Sequence, residues 1–316
     1  MSSKKTRRIL CLAISFAMTV TICISCLIIG AKATAFNYDT INNSVKKSDV
    51  ASVSHQKMMS ELSKLAEKSE IPISVFESVF SIENVYTAES EMIKAAFEGR
   101  NYYNAGAELQ KNLYNKFIEF YNSNGVGVTS EIENNLKSLA EKSTDIYNAY
   151  IDIGVIKSFA SAVSSMNFNA TKVLSLALLA SVGFYALMCV LYGKKLMYRA
   201  SSFLSSSLIA SGFVQIVLSI ALMIKGLDGF VSISPEIYLK ALSGVFTRFN
   251  VIVMIFGFAL LLIGFAMYAY IYKAKILKRE KKMRGHSSHR TYVKFFDGKD
   301  DDYDDRHLEK APEGTE

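Results

Sequence analysis

Four stretches of the chain run without a charged residue: 9–31, 173–192, 200–224 and 249–272. Each reaches at least 20 residues, and about 20 helical residues cross the ~30 Å hydrocarbon core of a bilayer. Buried helices of water-soluble proteins rarely stay uncharged over such lengths. The pattern therefore predicts four transmembrane helices, TM1 to TM4, at those positions. The expected fold class is an all-α integral membrane protein, with an extracytoplasmic three- or four-helix bundle between TM1 and TM2.

Residues 32–172, between the first two apolar stretches, contain one proline, Pro72, and no alternating apolar run. They read as helices. A first helix is expected over 39–69, with Met58, Leu62, Leu65 and Ala66 at three-and-four spacing. Beyond Pro72 a short helix opens with Ser74 and Glu77 spaced as a capping box, and presents Val75, Phe76, Val79 and Phe80. The longest helix is expected over 88–122. Ile93, Ala96, Tyr103, Ala107, Tyr114, Phe117 and Tyr121 form its stripe, interrupted by Arg100 and Gln110. Gly99 and Gly106 each weaken it by up to ~1 kcal/mol relative to Ala, which places a kink there. The run NSNGVG at 122–127 stops it, because Asn and Gly accept the left-handed backbone that ends a helix.

The next helix opens at Ser130 with Glu133 three residues on. Its stripe is Leu136, Leu139, Ser143, Ile146, Tyr150 and Ile153. It should continue through Phe159 into TM2, bending near 167–169. In the 225–248 segment, Ser234 as cap and Pro235 at the first helical position start a short amphipathic helix. Ile237, Ala241, Leu242, Val245 and Phe246 would line one side of it. The expectation is a helix on the membrane surface, with docking beneath the bundle as the alternative.

Charge sets the orientation. Lys4, Lys5, Arg7 and Arg8 precede TM1; Lys194, Lys195 and Arg199 lie between TM2 and TM3; Lys273, Lys275, Lys278, Arg279, Lys281, Lys282 and Arg284 follow TM4. If all four stretches span, these sets fall on one side, which the positive-inside rule makes cytoplasmic. Residues 1–8, 193–199 and 273–316 are then inside, and 32–172 and 225–248 outside. Residues 33–171 carry 17 acidic and 12 basic side chains. The net charge of +7 is thus basic inside and mildly acidic outside. It implies contact with the anionic headgroups of a lipid bilayer, and no nucleic acid partner.

The basic start, the apolar run and AKATA at 31–35 also resemble a cleaved signal peptide. The apolar run is about twice the 7–15 residues usual for one, so an uncleaved anchor is expected. All four cysteines, Cys11, Cys23, Cys26 and Cys189, fall in the predicted spans, which leaves the outside domain without disulfides. That usage fits a bacterial cell membrane, in a single-membrane envelope. The sequons at Asn42 and Asn169 are short enough to occur by chance.

Catalytic chemistry should announce itself in residue types. His55 is the one outside histidine, and the position one turn on is Met59. No metalloprotease, nucleophile-elbow or phosphate-loop pattern occurs. His286 and His289 make an incomplete metal site. Asp300, Asp302 and Asp304 begin like a calcium loop, but Asp305 and Ala311 stand where Gly and Glu are needed. The 273–316 tail, basic and then acidic, reads as disordered, with its acidic end able to fold back or to dock a partner. No catalytic residue, metal ligand or cofactor site is expected. The spans hold no charge. Their polar content is Ser, Thr, Gln215 and Asn250. Ser201, Ser202, Ser205, Ser206, Ser207 and Ser211, with Ala177, Ser181, Gly183, Gly257 and Gly264, are expected at close helix contacts. Such small-residue faces could also support an oligomer, and a substrate groove along TM3 is the sharper alternative.

A non-enzymatic sensor, scaffold or interaction protein, meeting a membrane or cell-wall protein partner through its outside bundle, uses every feature found. A large domain after TM1 and a small loop between TM2 and TM3 also resemble permeases of the macrolide-exporter and cell-division class. That resemblance implies a membrane subunit of a transport complex. It departs from the class in the 193–202 loop, which has no room for a coupling helix. A membrane enzyme lacks its acid, base and nucleophile.

Overall fold

The computed structural model describes residues 3–100, 106–193, 197–233 and 235–287, with side chains for all of these but 3–5 and 277–287. Ten helices and no strand occur among the described residues. Four are long and apolar enough to cross a membrane: α1 (Ser3–Ala33), α8 (Gly154–Tyr192), α9 (Met197–Lys225) and α10 (Glu236–Ser287). Their outward faces carry large bare side chains, among them Leu179 at 71 %, Val190 at 77 % and Leu262 at 71 % exposure. Apolar surface on that scale calls for lipid rather than water. Between α1 and α8 lie α2 (Tyr38–Lys47), α3 (Val50–Ser69), α4 (Ile73–Glu77), α5 (Ile82–Phe97), α6 (Gly106–Ser123) and α7 (Ser130–Ile151). The chain divides into two units, 1–269 and 270–316; of the second, the described residues 270–287 are helical. Lys194, Lys195, Tyr103, the Ser234 cap, Asp300 to Asp304 and the acidic tail lie outside the described residues, as do the His286 and His289 side chains.

Helices α2 to α7 share one apolar core. Ile41, Val50, Met58, Leu62, Phe76, Phe80, Val85, Ile93, Leu113, Phe117, Ala140, Tyr147 and Ile151 are all buried in it. Aromatic pairs tie its layers together. Phe76 meets Phe117 edge-on at 5.1 Å, and Phe80 stacks on Tyr147 at 5.3 Å. The same core takes in Ile156 and Ala160 from the start of α8, and Ala241 and Val245 from the start of α10. With 39 residues, α8 is about 58 Å long at 1.5 Å per residue. That is nearly twice a hydrocarbon thickness, so one end can pack among α2 to α7 while the other remains apolar outside.

Several boundaries differ from expectation, each for a local reason. The 39–69 helix is two helices. Asp49 takes a left-handed φ of 54°, and Ser48 turns its hydroxyl back onto the Ser44 carbonyl at 2.8 Å. The 88–122 helix is also two. Gly99 at φ 63° ends α5, and Arg100 N–H reaches back to the Ala95 carbonyl at 2.9 Å. Ser74 lies inside α4 and forms no cap, because Pro72 already occupies the N-cap position. Thr129, one residue before the expected Ser130, caps α7. The buried stripe of α7 runs Leu136, Ala140, Ser143, Tyr147 and Ile151, with Leu139, Ile146 and Tyr150 packed at its edge. The chain breaks at Asp152 and Ile153, and α8 is unbroken through 167–169.

Among its described residues, the 225–248 segment holds no separate surface helix. Residues from Glu236 form the first turns of α10, docked on the core of α2 to α7. Gly244 makes this docking feasible: a Cβ there would lie 2.2 Å from Ser44 Oγ, whose hydroxyl donates to the Ala241 carbonyl at 2.6 Å. The segment read as unstructured from 273 is helical through Ser287. Its Lys, Arg, Glu, Met and Ala residues are strong helix formers, which carry α10 onward.

Candidate functional site

Among the apolar helices, small polar residues do the joining. Ser15 and Ser207 hydroxyls lie 2.8 Å apart, Thr21 and Ser181 2.7 Å apart, and Ser205 donates to the Gly264 carbonyl at 2.8 Å. At Gly212 a Cβ would come within 2.6 Å of the Gly257 carbonyl oxygen and 2.9 Å of Leu261 N, so α9 and α10 touch backbone to backbone. Gly183 is different: the space around its missing Cβ is open, and it makes none of the expected contact. Gln215, Ser219 and Asn250 are buried in this zone with their polar side-chain atoms unpartnered. The register fixed by Ser205–Gly264 and Gly212–Gly257 sets Ser219 level with Asn250. All four cysteines are free thiols.

Among the helices between α1 and α8, no group of three His, Cys, Asp or Glu side chains converges as a metal site among the described residues. His55 has a structural partner instead, its Nε2 lying 2.9 Å from the Phe80 carbonyl oxygen. On the surface of α6 and α7, Lys137 donates to Glu133 at 2.8 Å and lies over the Tyr114 ring. The lysine holds the Glu133 carboxyl below its ordinary range, while partial burial and that carboxylate push the Tyr114 phenol up. An exposed cluster of this kind contributes little. A shallow cleft of about 430 Å³ opens between α2 and α5, lined by Lys46, Glu83, Tyr86, Thr87, Ser90 and Glu91. The Tyr38 and Ser90 hydroxyls lie 2.7 Å apart beside it.

The exceptional group is Glu89. It sits in the buried stripe of α5, between Val85 and Ala88 on one side and Met92 and Ile93 on the other. It is 2 % exposed, and neither carboxylate oxygen has a hydrogen-bond partner. Ser54 of α3 stands near enough to favour the charged form without making that bond. Tyr238, in the first turns of α10, lies within electrostatic reach of Glu89 and of Asp152 at the end of α7. Burial dominates and pushes the carboxyl from 4.5 up to about 8.

The sequence reading missed Glu89, although the signal was present. It lies four residues before Ile93 and seven before Ala96, so it belongs to the apolar stripe extended back by one turn. Gln215 and Asn250, the amide side chains of the spans, are both buried against neighbouring helices.

The architecture is therefore an all-helical chain in which four helices can cross a membrane and two of them extend into a second apolar core. No protein-family model, curated protein or solved structure matches it.

Proposed function

We propose that this chain is a bacterial cell-membrane protein with both termini in the cytoplasm. In this reading, residues 32–172 form an extracytoplasmic helical bundle that acts as a non-enzymatic sensor, scaffold or interaction module. One observation carries it: the core of α2 to α7 is completed by Ile156 and Ala160 of α8 and by Ala241 and Val245 of α10. Each of those helices continues without a break into an apolar spanning stretch. A partner that shifts the bundle must therefore move two spans, because packed cores transmit strain rather than absorb it. The first helix stays as an anchor, since Cys11, Ile14 and Met18 are buried against Met188, Tyr192 and Ala200. The lysine and arginine sets at 4–8, 194–199 and 273–284 support the orientation.

The test is cross-linking in native membranes from cysteines introduced on the exposed faces of α6 and α7, at Ser123 and Lys142, followed by affinity purification. The reading expects a membrane or cell-wall protein linked to those positions. Recovery of a cytoplasmic ATPase as the stoichiometric partner would replace it with the transport-permease reading.

A further inference from the structure

A carboxyl group buried among apolar side chains with no partner is stable only while neutral, because a bare charge there costs far more than any packing contact returns. Glu89 is in that state, and its place in the fold gives it a use. It lies on α5, close to α3 and to the first turns of α10. Ser54 comes from α3 and Tyr238 from α10, and Tyr238 is also within electrostatic reach of Asp152, just past the end of α7. The first turns of α10 join the bundle core here, through Ile237, Tyr238, Ala241 and Val245.

We propose that Glu89 is a proton-binding site that latches α10 to the bundle: the neutral carboxyl lets the first turns of α10 close over it, and loss of the proton releases them. This rests on the coupling of bundle and spans proposed above, and names the proton as one input.

No neighbouring charge relieves Glu89. On α3, His55 is turned to the Phe80 carbonyl. On α2, Lys46 lines the outer cleft, which Glu89 does not. On α5 itself, Glu91 pairs with Lys94. Asp152 of α7, Lys157 of α8, and Glu236 and Lys240 of α10 are exposed. Asp152 and Tyr238 would add negative charge, not cancel it. The sign follows. The carboxyl holds its proton to about 8 when closed and to 4.5 when free. Closure is complete below the lower value and is lost as pH rises through the upper one. Between the two limits the opening equilibrium should grow by about tenfold per pH unit, and level off above the upper one.

The experiment is amide hydrogen exchange of residues 236–248 in the full-length protein in lipid nanodiscs, corrected for intrinsic rates, at pH 6 to 9. In the wild type, protection of these amides should fall by about tenfold per unit up to pH 8 and then flatten. Glu89→Gln should remove that slope. Glu89→Met, apolar and of similar length, should remove it too if the carboxamide variant folds poorly. A slope shared by wild type and both variants overturns the latch, and so does a wild type protected equally at every pH. Amides of 236–248 that are unprotected at every pH would instead overturn the docking of α10, and with it the coupling of bundle and spans.

Discussion

Gly212 and Glu89 show how much one position can decide. At Gly212 the missing Cβ is what allows α9 to touch α10, since the nearest atoms are backbone and cannot give way. Gly212→Leu should lower the thermal midpoint in detergent by the equivalent of about 1–3 kcal/mol, whereas Gly183→Leu, at open space, should leave it unchanged. Glu89 acts through its proton. Its raised carboxyl makes the folded state bind a proton that the unfolded chain has lost above its ordinary value of 4.5. The thermal midpoint should accordingly fall as pH rises from 5 toward 9 in the wild type, and stay level over that range in Glu89→Gln. Composition could not reveal either residue's role. A glycine in an apolar run and a glutamate in a polar helix are ordinary until a partner helix is placed against them. Only the three-and-four spacing around Ile93 pointed inward.

Helices were legible where periodicity was long, and their ends were legible where one residue type dominates. The turn at 122–127 is present, with Gly125 at φ 71°, and α6 and α7 pack as a hairpin on either side of it. The break at Asp49 was not legible, because no glycine or proline stands there, and at 152–153 the only cue is Gly154, the first residue of α8. Asp49 adopts a left-handed backbone that is rare for residues other than Gly, Asn and Asp. Helix α8 runs unbroken through 167–169, because asparagine in a helix costs only tenths of a kcal/mol. Those asparagines mark an edge: Asn167 accepts from Lys32 at 2.8 Å, and Lys172 lies over the Phe168 ring at 4.1 Å. A proline at exposed Asn169 should therefore cost about 3 kcal/mol or more by breaking α8, while Asn169→Ala stays near neutral. In the second core, Phe117→Ala should cost about 3–5 kcal/mol, because its fully buried ring leaves a cavity against Phe76. Thermal unfolding of the purified protein reads both.

For the whole molecule, the uncharged stretches were the strongest signal, because the bilayer requires both their length and their freedom from charge. What they could not convey is that α8 and α10 each carry an apolar spanning stretch and also complete the core of α2 to α7. The sharing rests on Ile156, Ala160, Ala241 and Val245, which lie outside the apolar runs and look like surface-helix residues in isolation. The orientation rests on lysines and arginines alone. Ser123 and Lys240 are exposed, and the native cysteines lie within the spanning helices, so single introduced cysteines report cleanly. A charged, membrane-impermeant maleimide applied to intact cells should label cysteines at 123 and 240, and should reach one in the 297–316 tail only after the membrane is opened. Labelling of the tail in intact cells, with 123 and 240 shielded, would contradict the account.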